Sequence, residues 1–269
     1  MDLHMIDDWV PARTRQDLTG LAASDALVAG GTWLFSQPQP TTTRLIDLST
    51  MGWPDLTIDD DGLEIAATCT IEKLITGDYP AAWRAAPLFG QCARALLASS
   101  KIWRTATVGG NICLGFPAGA MISLCAALAG QAVIWRADGS EEYCGISDFV
   151  TDVGVTALQP GDVLRAIRLP VAALTEPTAL RKVAYAPLGR SGAIVIARGR
   201  SDGAAGLTVT VSAGTRRPIV IDAPDAPTAL SAVAAIAPHE YHDDAHGKAD
   251  WRRAVTGHLA AEVVAELAS

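Results

Sequence analysis

Apolar positions along the chain follow two rhythms, and their order predicts a mixed α+β fold. Short runs predict strands at Ala26-Leu-Val-Ala29, Arg44-Leu-Ile-Asp-Leu48 and Leu63-Glu-Ile-Ala-Ala67, with the turn-rich Asp59-Asp-Asp-Gly62 just before the last. Gln131 to Arg136 predicts a strand that enters a hairpin turn at Asp138-Gly139. Helical spacing predicts short helices over Thr14–Ser24, with Thr14 as cap and Leu18 and Leu21 on one side, over Thr70–Thr76 and over Pro87–Ser99. Val171 to Pro177 has a linker's composition. Three further strands are predicted at Ala179–Tyr185, Ala193–Gly199 and Leu207–Ala213, the last alternating Leu207, Val209, Val211 against Thr208, Thr210, Ser212. Lys248 to Leu267 predicts an amphipathic helix through Trp251, Val255, Leu259, Val263 and Leu267. Two domains, 1–172 and 173–269, are the expected organisation, without repeats or low-complexity tracts.

Composition narrows the function classes. Hydrophobic residues make up 49% of the 269 and charged residues 19%, which is a globular balance. A net charge of -8 argues against a nucleic-acid surface, which needs a basic face to neutralise phosphates. The opening Met1-Asp-Leu-His-Met5 lacks the basic start and apolar run of a secretory signal, and no apolar stretch reaches the roughly 18 residues of a membrane span. A cytoplasmic location is therefore expected. The five cysteines, Cys69, Cys92, Cys113, Cys125 and Cys144, are odd in number and ungrouped. Such thiols are expected to be buried and unpaired, not disulfides or cluster ligands.

Two glycine pairs stand out, Val28-Ala-Gly-Gly-Thr32 and Thr107-Val-Gly-Gly-Asn111. Consecutive glycines let backbone N–H groups turn inward on an anion such as a pyrophosphate, with Thr32, Thr107 and Asn111 adding donors at its edge. Either pair alone is a turn signal, and neither fits G-x-G-x-x-G or a P-loop.

With its surroundings the second loop is specific. Ala106-Thr-Val-Gly-Gly-Asn-Ile112, then Pro117-Ala-Gly119 and Leu128-Ala, resembles the FAD-binding subunit of the molybdenum hydroxylases, the medium subunit of carbon monoxide dehydrogenase and the flavin domain of xanthine dehydrogenase. Asp243-Asp-Ala-His246 and Ala249-Asp-Trp-Arg-Arg253 match a later segment of that family, so the resemblance spans nearly the whole chain. It implies an α+β fold: a two-part FAD-binding domain of the PCMH/vanillyl-alcohol-oxidase type, then a smaller domain of the CO dehydrogenase flavoprotein type with a three-stranded antiparallel sheet and helices. It implies that Ala29, Gly30, Gly31, Thr32 and Trp33 wrap the FAD pyrophosphate. Thr107, Gly109, Gly110 and Asn111 would face the phosphate and ribityl chain. Leu97, Ala98, Leu164 and Lys182 would lie beside the cofactor. It implies a molybdopterin-binding large subunit and a [2Fe-2S] small subunit as partners, with electrons passing through this FAD to an acceptor left open. No side-chain acid or base is required, and no catalytic residue is expected.

Departures from the family are informative. Where it has S-P-A-x-D, this chain has Phe116-Pro-Ala-Gly-Ala120, so Ala120 replaces a carboxylate and Phe116 a serine. One lost hydrogen bond of this kind is worth about 0.5–1.5 kcal/mol, which weakens FAD without abolishing it. Trp33 stands where a small polar or acidic residue is usual; its indole either stacks on adenine or, as is favoured, packs on protein. The alternatives are a stand-alone FAD oxidoreductase and a flavin-deficient scaffold. The crowded His239, His242, Asp243, Asp244 and His246 lack metal-site spacing and predict a solvated loop. Asp59-Asp-Asp-Gly62 predicts a turn and not a calcium loop.

Overall fold

The computed structural model of the chain describes residues 3–200 and 206–268. Strands β1 (Asp8–Pro11), β2 (Asp25–Val28) and β3 (Arg44–Asp47) form a small parallel sheet in the order β1-β3-β2. The helix predicted over Thr14–Ser24 is a single 3-10 turn, Arg15–Leu18. The Asp17 carboxylate closes that turn by accepting from the Arg13 and Thr14 amides and the Thr14 hydroxyl. Gly20, at φ 67°, then diverts the chain before a second turn can form.

β4 (Leu56–Asp59) and β5 (Gly62–Ala66) make a hairpin on the predicted turn, where Asp59 accepts from the Asp61 and Gly62 amides. Four short helices follow: α1 (Ile71–Thr76), α2 (Pro87–Ala95), α3 (Ser100–Trp103) and α4 (Val108–Cys113). The helix expected to reach Ser99 stops at Ala95, whose carbonyl accepts from the Ser191 hydroxyl at 3.0 Å. α5 (Ala120–Ala127) is buried on all sides, as a helix without a polar face must be. It packs on α2 and α4 to one side and on the C-terminal sheet to the other.

β6 (Gln131–Trp135) and β7 (Glu141–Gly145) form the predicted hairpin, with Gly139 at φ 89°. After α6 (Ile146–Phe149) and the small pair β8 (Val150–Asp152) and β9 (Val155–Thr156), β10 (Val163–Pro170) enters the centre of a five-stranded antiparallel sheet, β4-β5-β10-β6-β7. Its register slips between Leu164 and Ala166, and this bulge sends Arg165 out over the Trp53 ring at 4.6 Å. The segment with a linker's composition is instead helix α7 (Val171–Thr175), which buries Ala173 and Leu174 and anchors the Ala85 amide on the Leu174 carbonyl.

The three later strands are present as β11 (Thr178–Val183), β12 (Ala193–Arg198) and β13 (Leu207–Ser212), and a fourth joins them: β14 (Ile219–Ala223). The three-stranded expectation missed β14 because it is an edge strand opened by Pro218, with no half-buried alternation to reveal it. Both faces of this sheet are covered. Val195, Ala197, Val209 and Val211 pack under α8 (Ala226–Ala234) and α9 (Ala249–Leu267), while Ile194 and Ile196 join the α5 core. The polar face of β13 is therefore buried too, and Ser212 and Ser123 satisfy each other at 2.9 Å. The stripe on α9 is broader than the predicted one. Leu259 and Val263 are buried, Val255 and Leu267 pack half-buried against the same core, and Arg252, Thr256, Ala260 and Val264 widen the inward face on the other side. No helix among the described residues is long and apolar enough to cross a membrane.

Candidate functional site

The first glycine loop leaves the C-terminal end of β2, the end of a parallel sheet where ligands commonly sit. Gly31 takes the left-handed conformation, φ 65°, and a Cβ there would lie 2.4 Å from the Phe35 ring. Gly30 is needed for another reason: its Cβ would fall 1.8 Å from the Thr105 carbonyl oxygen. The loop thus lies directly on the segment that feeds the second loop. The amides of Ala29, Gly30, Gly31, Thr32 and Trp33 donate to no acceptor among the described residues. The first four of these residues are half-buried and Trp33 is exposed, so the row stays open to water or to an anion.

The second loop is built differently. Thr107 caps α4, accepting from the Gly110 amide at 3.0 Å. Val108, Gly109 and Asn111 donate their amides to the carbonyls of Cys69, Ala67 and Thr107. The expectation that this loop's amides turn inward on an anion is thereby corrected: those of Val108 and Gly109 fix α4 to the segment after β5, and those of Gly110 and Asn111 close on Thr107. A Cβ on Gly109 would lie 2.5 Å from that of Ala67, whereas one on Gly110 would meet only the Thr107 hydroxyl oxygen, at 2.9 Å. What this loop offers a ligand is side-chain chemistry. The Thr107 hydroxyl retains its proton for donation, and Asn111 spends its Oδ1 on the Met121 amide at 3.0 Å, leaving Nδ2 free.

Both loops open on one cavity of ≈ 300 Å³. Of the residues expected at a cofactor, Ala29, Gly30, Gly31, Thr32, Trp33, Thr107, Gly109, Gly110, Asn111 and Leu164 line it together. Leu97, Ala98, Ala120 and Lys182 do not. Leu97 is 60% exposed on the connection after α2, with Ala98 beside it. Ala120 is fully buried as the first residue of α5, and Lys182 lies on β11. Sequence reasoning missed Leu27, Leu48, Ala67, Leu114, Leu158 and Val163, which supply much of the apolar wall. They sit at strand ends and loop turns, where nothing local marks them. It also missed Asp162, whose carboxylate is held by Arg136 at 2.5 Å and by the amides of Ala137 and Gln159. No Lys or Arg lines the cavity.

A smaller cavity of ≈ 120 Å³ adjoins it through Trp33 and lies between the two halves of the chain. The Trp33 indole packs edge-on to Phe116 at 4.9 Å, and the Arg190 guanidinium lies 6.0 Å from the Phe116 ring. Of the segment His239–His246, His242, Asp244 and His246 turn onto this space, while His239 and Asp243 stand in solvent as expected of a loop. Asp244 binds Arg252 at 2.5 Å and lies 3.3 Å from His242. Arg252, 1% exposed, also donates to the Ala213 carbonyl at 2.8 Å. Burial lowers the His242 pKa below its ordinary value, an effect reinforced by Arg252 and Arg216 and opposed by Asp244. Among the described residues no group of three His, Cys, Asp or Glu side chains is placed to hold a metal. All five thiols are free.

Cavity and loops together form a mostly apolar-walled site edged by a row of open backbone amides. A family profile described as the FAD binding domain in molybdopterin dehydrogenase matches residues 4–172, and the chain belongs to that family, with FAD as its cofactor. Among solved structures it resembles reconstituted CO dehydrogenase from Oligotropha carboxidovorans, at 22% identity and a TM-score of 0.83, with 96% of each chain covered. Carbon monoxide dehydrogenase from Hydrogenophaga pseudoflava aligns at 20% identity and 0.80, over 97% of this chain and 96% of that one. Quinoline 2-oxidoreductase from Pseudomonas putida 86 aligns at 19% and 0.79, again over 97% and 96%. At these identities the likeness establishes the fold, with its mixed sheets and helices. No curated protein sequence matches the chain.

Proposed function

We propose that this chain is the electron-transfer subunit of a molybdenum-containing dehydrogenase, and that the ≈ 300 Å³ cavity holds the central part of its FAD. The observation that carries the site assignment is the row of five unpaired amides from Ala29 to Trp33, on residues that line the same cavity as Thr107 and Asn111. Those amides would bind the diphosphate, and Thr107 and Asn111 would donate to it from the second loop. Leu164, Leu48 and Leu158 would shield it from water. An acidic chain can so hold a dianion without a cationic cluster, because oriented backbone dipoles supply the positive potential. Gly109 and Gly110 shape the wall and donate nothing. Leu97, Ala98, Ala120 and Lys182 make no contact with the central part of the cofactor.

When bound, FAD supplies the electron chemistry, and the protein supplies position and electrostatics. Electrons arrive from a [2Fe-2S] small subunit, after oxidation of substrate on a molybdopterin-binding large subunit, and leave to an external acceptor. Residues 1–172 form the flavin domain and 173–269 the domain that closes over it, in a cytoplasmic complex. The test is to recover the complex from its native host through a tag on this chain and to quantify FAD, iron and molybdenum. A constant ratio of the three across a sizing column supports the subunit reading. A chain that elutes alone at low salt, still carrying FAD, is a self-sufficient flavoprotein.

A further inference from the structure

The charge on this chain is distributed unevenly, and the unevenness has a place in the fold. Residues 79–137 and 177–201 contain ten of its 21 Lys and Arg side chains and none of its 29 Asp and Glu side chains. The two acid-free stretches meet where Ser191 donates to the Ala95 carbonyl at 3.0 Å, and α2 packs on β11. Several of these cations are occupied elsewhere: Arg136 with Asp162, Arg198 with Glu176, Arg181 with Glu262, Arg104 with Glu72. Arg94, Lys101, Lys182 and Arg190 pair with no carboxylate among the described residues.

The same region carries large apolar side chains in solvent. Leu97 is 60%, Tyr185 60% and Leu188 85% exposed, with Ile102 and Trp33 also exposed. A chain of contacts links them: Trp33 to Phe116, Phe116 to Arg190, and Ser191 to Ala95, two residues before Leu97. Exposed Leu97, Ile102 and Leu188 thus share two adjoining acid-free stretches with four cations that lack a carboxylate partner, on a protein of net charge -8, and such a surface suits an acidic partner.

We propose that this face docks an acidic protein surface, with Leu97, Ile102 and Leu188 as the apolar centre and Arg94, Lys101, Lys182 and Arg190 as the steering rim. It borders the Trp33 end of the cofactor cavity. A docked redox partner would therefore sit against the cofactor, which is the part of the proposal that rests on the flavin reading above.

The experiment uses the complex recovered from its native host and the isolated full chain, compared by hydrogen exchange. Assembly should protect residues 96–103 and 184–190, and the protecting partner should be acidic. The triple variant Lys101→Glu, Lys182→Glu, Arg190→Glu should weaken assembly about tenfold or more, and added salt should weaken the wild-type complex. Arg13→Glu with Arg253→Glu, exposed cations outside both stretches, should leave assembly unchanged. Wild-type affinity in the triple variant, protection confined to other surfaces, or equal loss in the control overturns the proposal. So does a homodimer of the isolated chain that the triple variant dissolves. FAD content is measured on every sample, and its absence from the wild type would sink the flavin reading while the protection map still tested the docking face.

Discussion

Replacing Asn111 with Asp separates cofactor binding from folding more cleanly than any change to the glycines. The carboxylate keeps an oxygen for the Met121 amide, which Asn111 Oδ1 holds at 3.0 Å, so the joint between α4 and α5 survives. A negative charge in the first turns of a helix is, if anything, favourable. The apo fold should shift by less than about 0.5 kcal/mol, as for other changes that spare packing and hydrogen bonds. Binding is another matter. The variant loses an N–H donor to a charged diphosphate, worth about 1.5–3 kcal/mol. It also sets like charges roughly 5 Å apart, which at an effective dielectric near 20 costs about 3 kcal/mol. The two effects overlap; even the lower figure with partial screening leaves about 3 kcal/mol, or roughly a hundredfold in affinity. FAD titrated into wild type and variant by flavin fluorescence gives the ratio, and thermal unfolding of the apo forms gives the stability. Affinity within threefold of wild type would place Asn111 away from the diphosphate and refute the reasoning.

Three further outcomes follow from the same geometry. Gly30→Ala should destabilise the apo chain by about 3 kcal/mol or more, because its Cβ would lie 1.8 Å from a backbone oxygen, while Gly110→Ala, facing only the Thr107 hydroxyl oxygen at 2.9 Å, should cost about 1 kcal/mol or less; equal urea midpoints would contradict this. Arg252→Met should cost about 3 kcal/mol in urea unfolding by stranding Asp244 and the Ala213 carbonyl, against under about 0.5 for the exposed Arg253→Met; a neutral Arg252→Met would show that the buried pair contributes nothing. Burial pushes the thiols of Cys69 and Cys125 up to about 12, so iodoacetamide at pH 8 should leave them unlabelled until denaturant is added. Because those folded values exceed the unfolded ones, the stability they contribute is complete below about pH 8.5 and is lost as pH rises toward 12; a flat alkaline stability profile would contradict the burial.

Strands β2, β3, β5, β6 and β11 to β13 and the place of the second glycine loop were legible because their signals are local: alternation at β13, a turn at Asp59–Gly62, two adjacent glycines at 109–110. β1 and the central β10 carried no such signal. What escaped the sequence depends on distant partners. Gly30 is a glycine because of Thr105, and Gly109 because of Ala67, contacts that local pattern cannot encode. Replacing Gly109 by Val would therefore test packing and not cofactor binding. The roles of the two loops differ for the same reason, since the second loop's amides are claimed by Cys69 and Ala67 while the first loop's are left open. α9 buries an arginine because Asp244 and the Ala213 carbonyl await it, so its inward face is wider than the purely apolar stripe. Helix α7 passed for a linker because five residues are too few to show a period.

The central claim is that the loop amides from Ala29 to Trp33 form a diphosphate site for FAD. Calorimetric titration of the purified apo chain tests it most directly, with FAD in one cell and riboflavin, which lacks the diphosphate, in another. One FAD should bind per chain with a dissociation constant of about 1 µM or tighter, and riboflavin should bind more weakly by about a hundredfold or more. Equal affinity for the two, or no uptake of FAD by a folded chain, would contradict it.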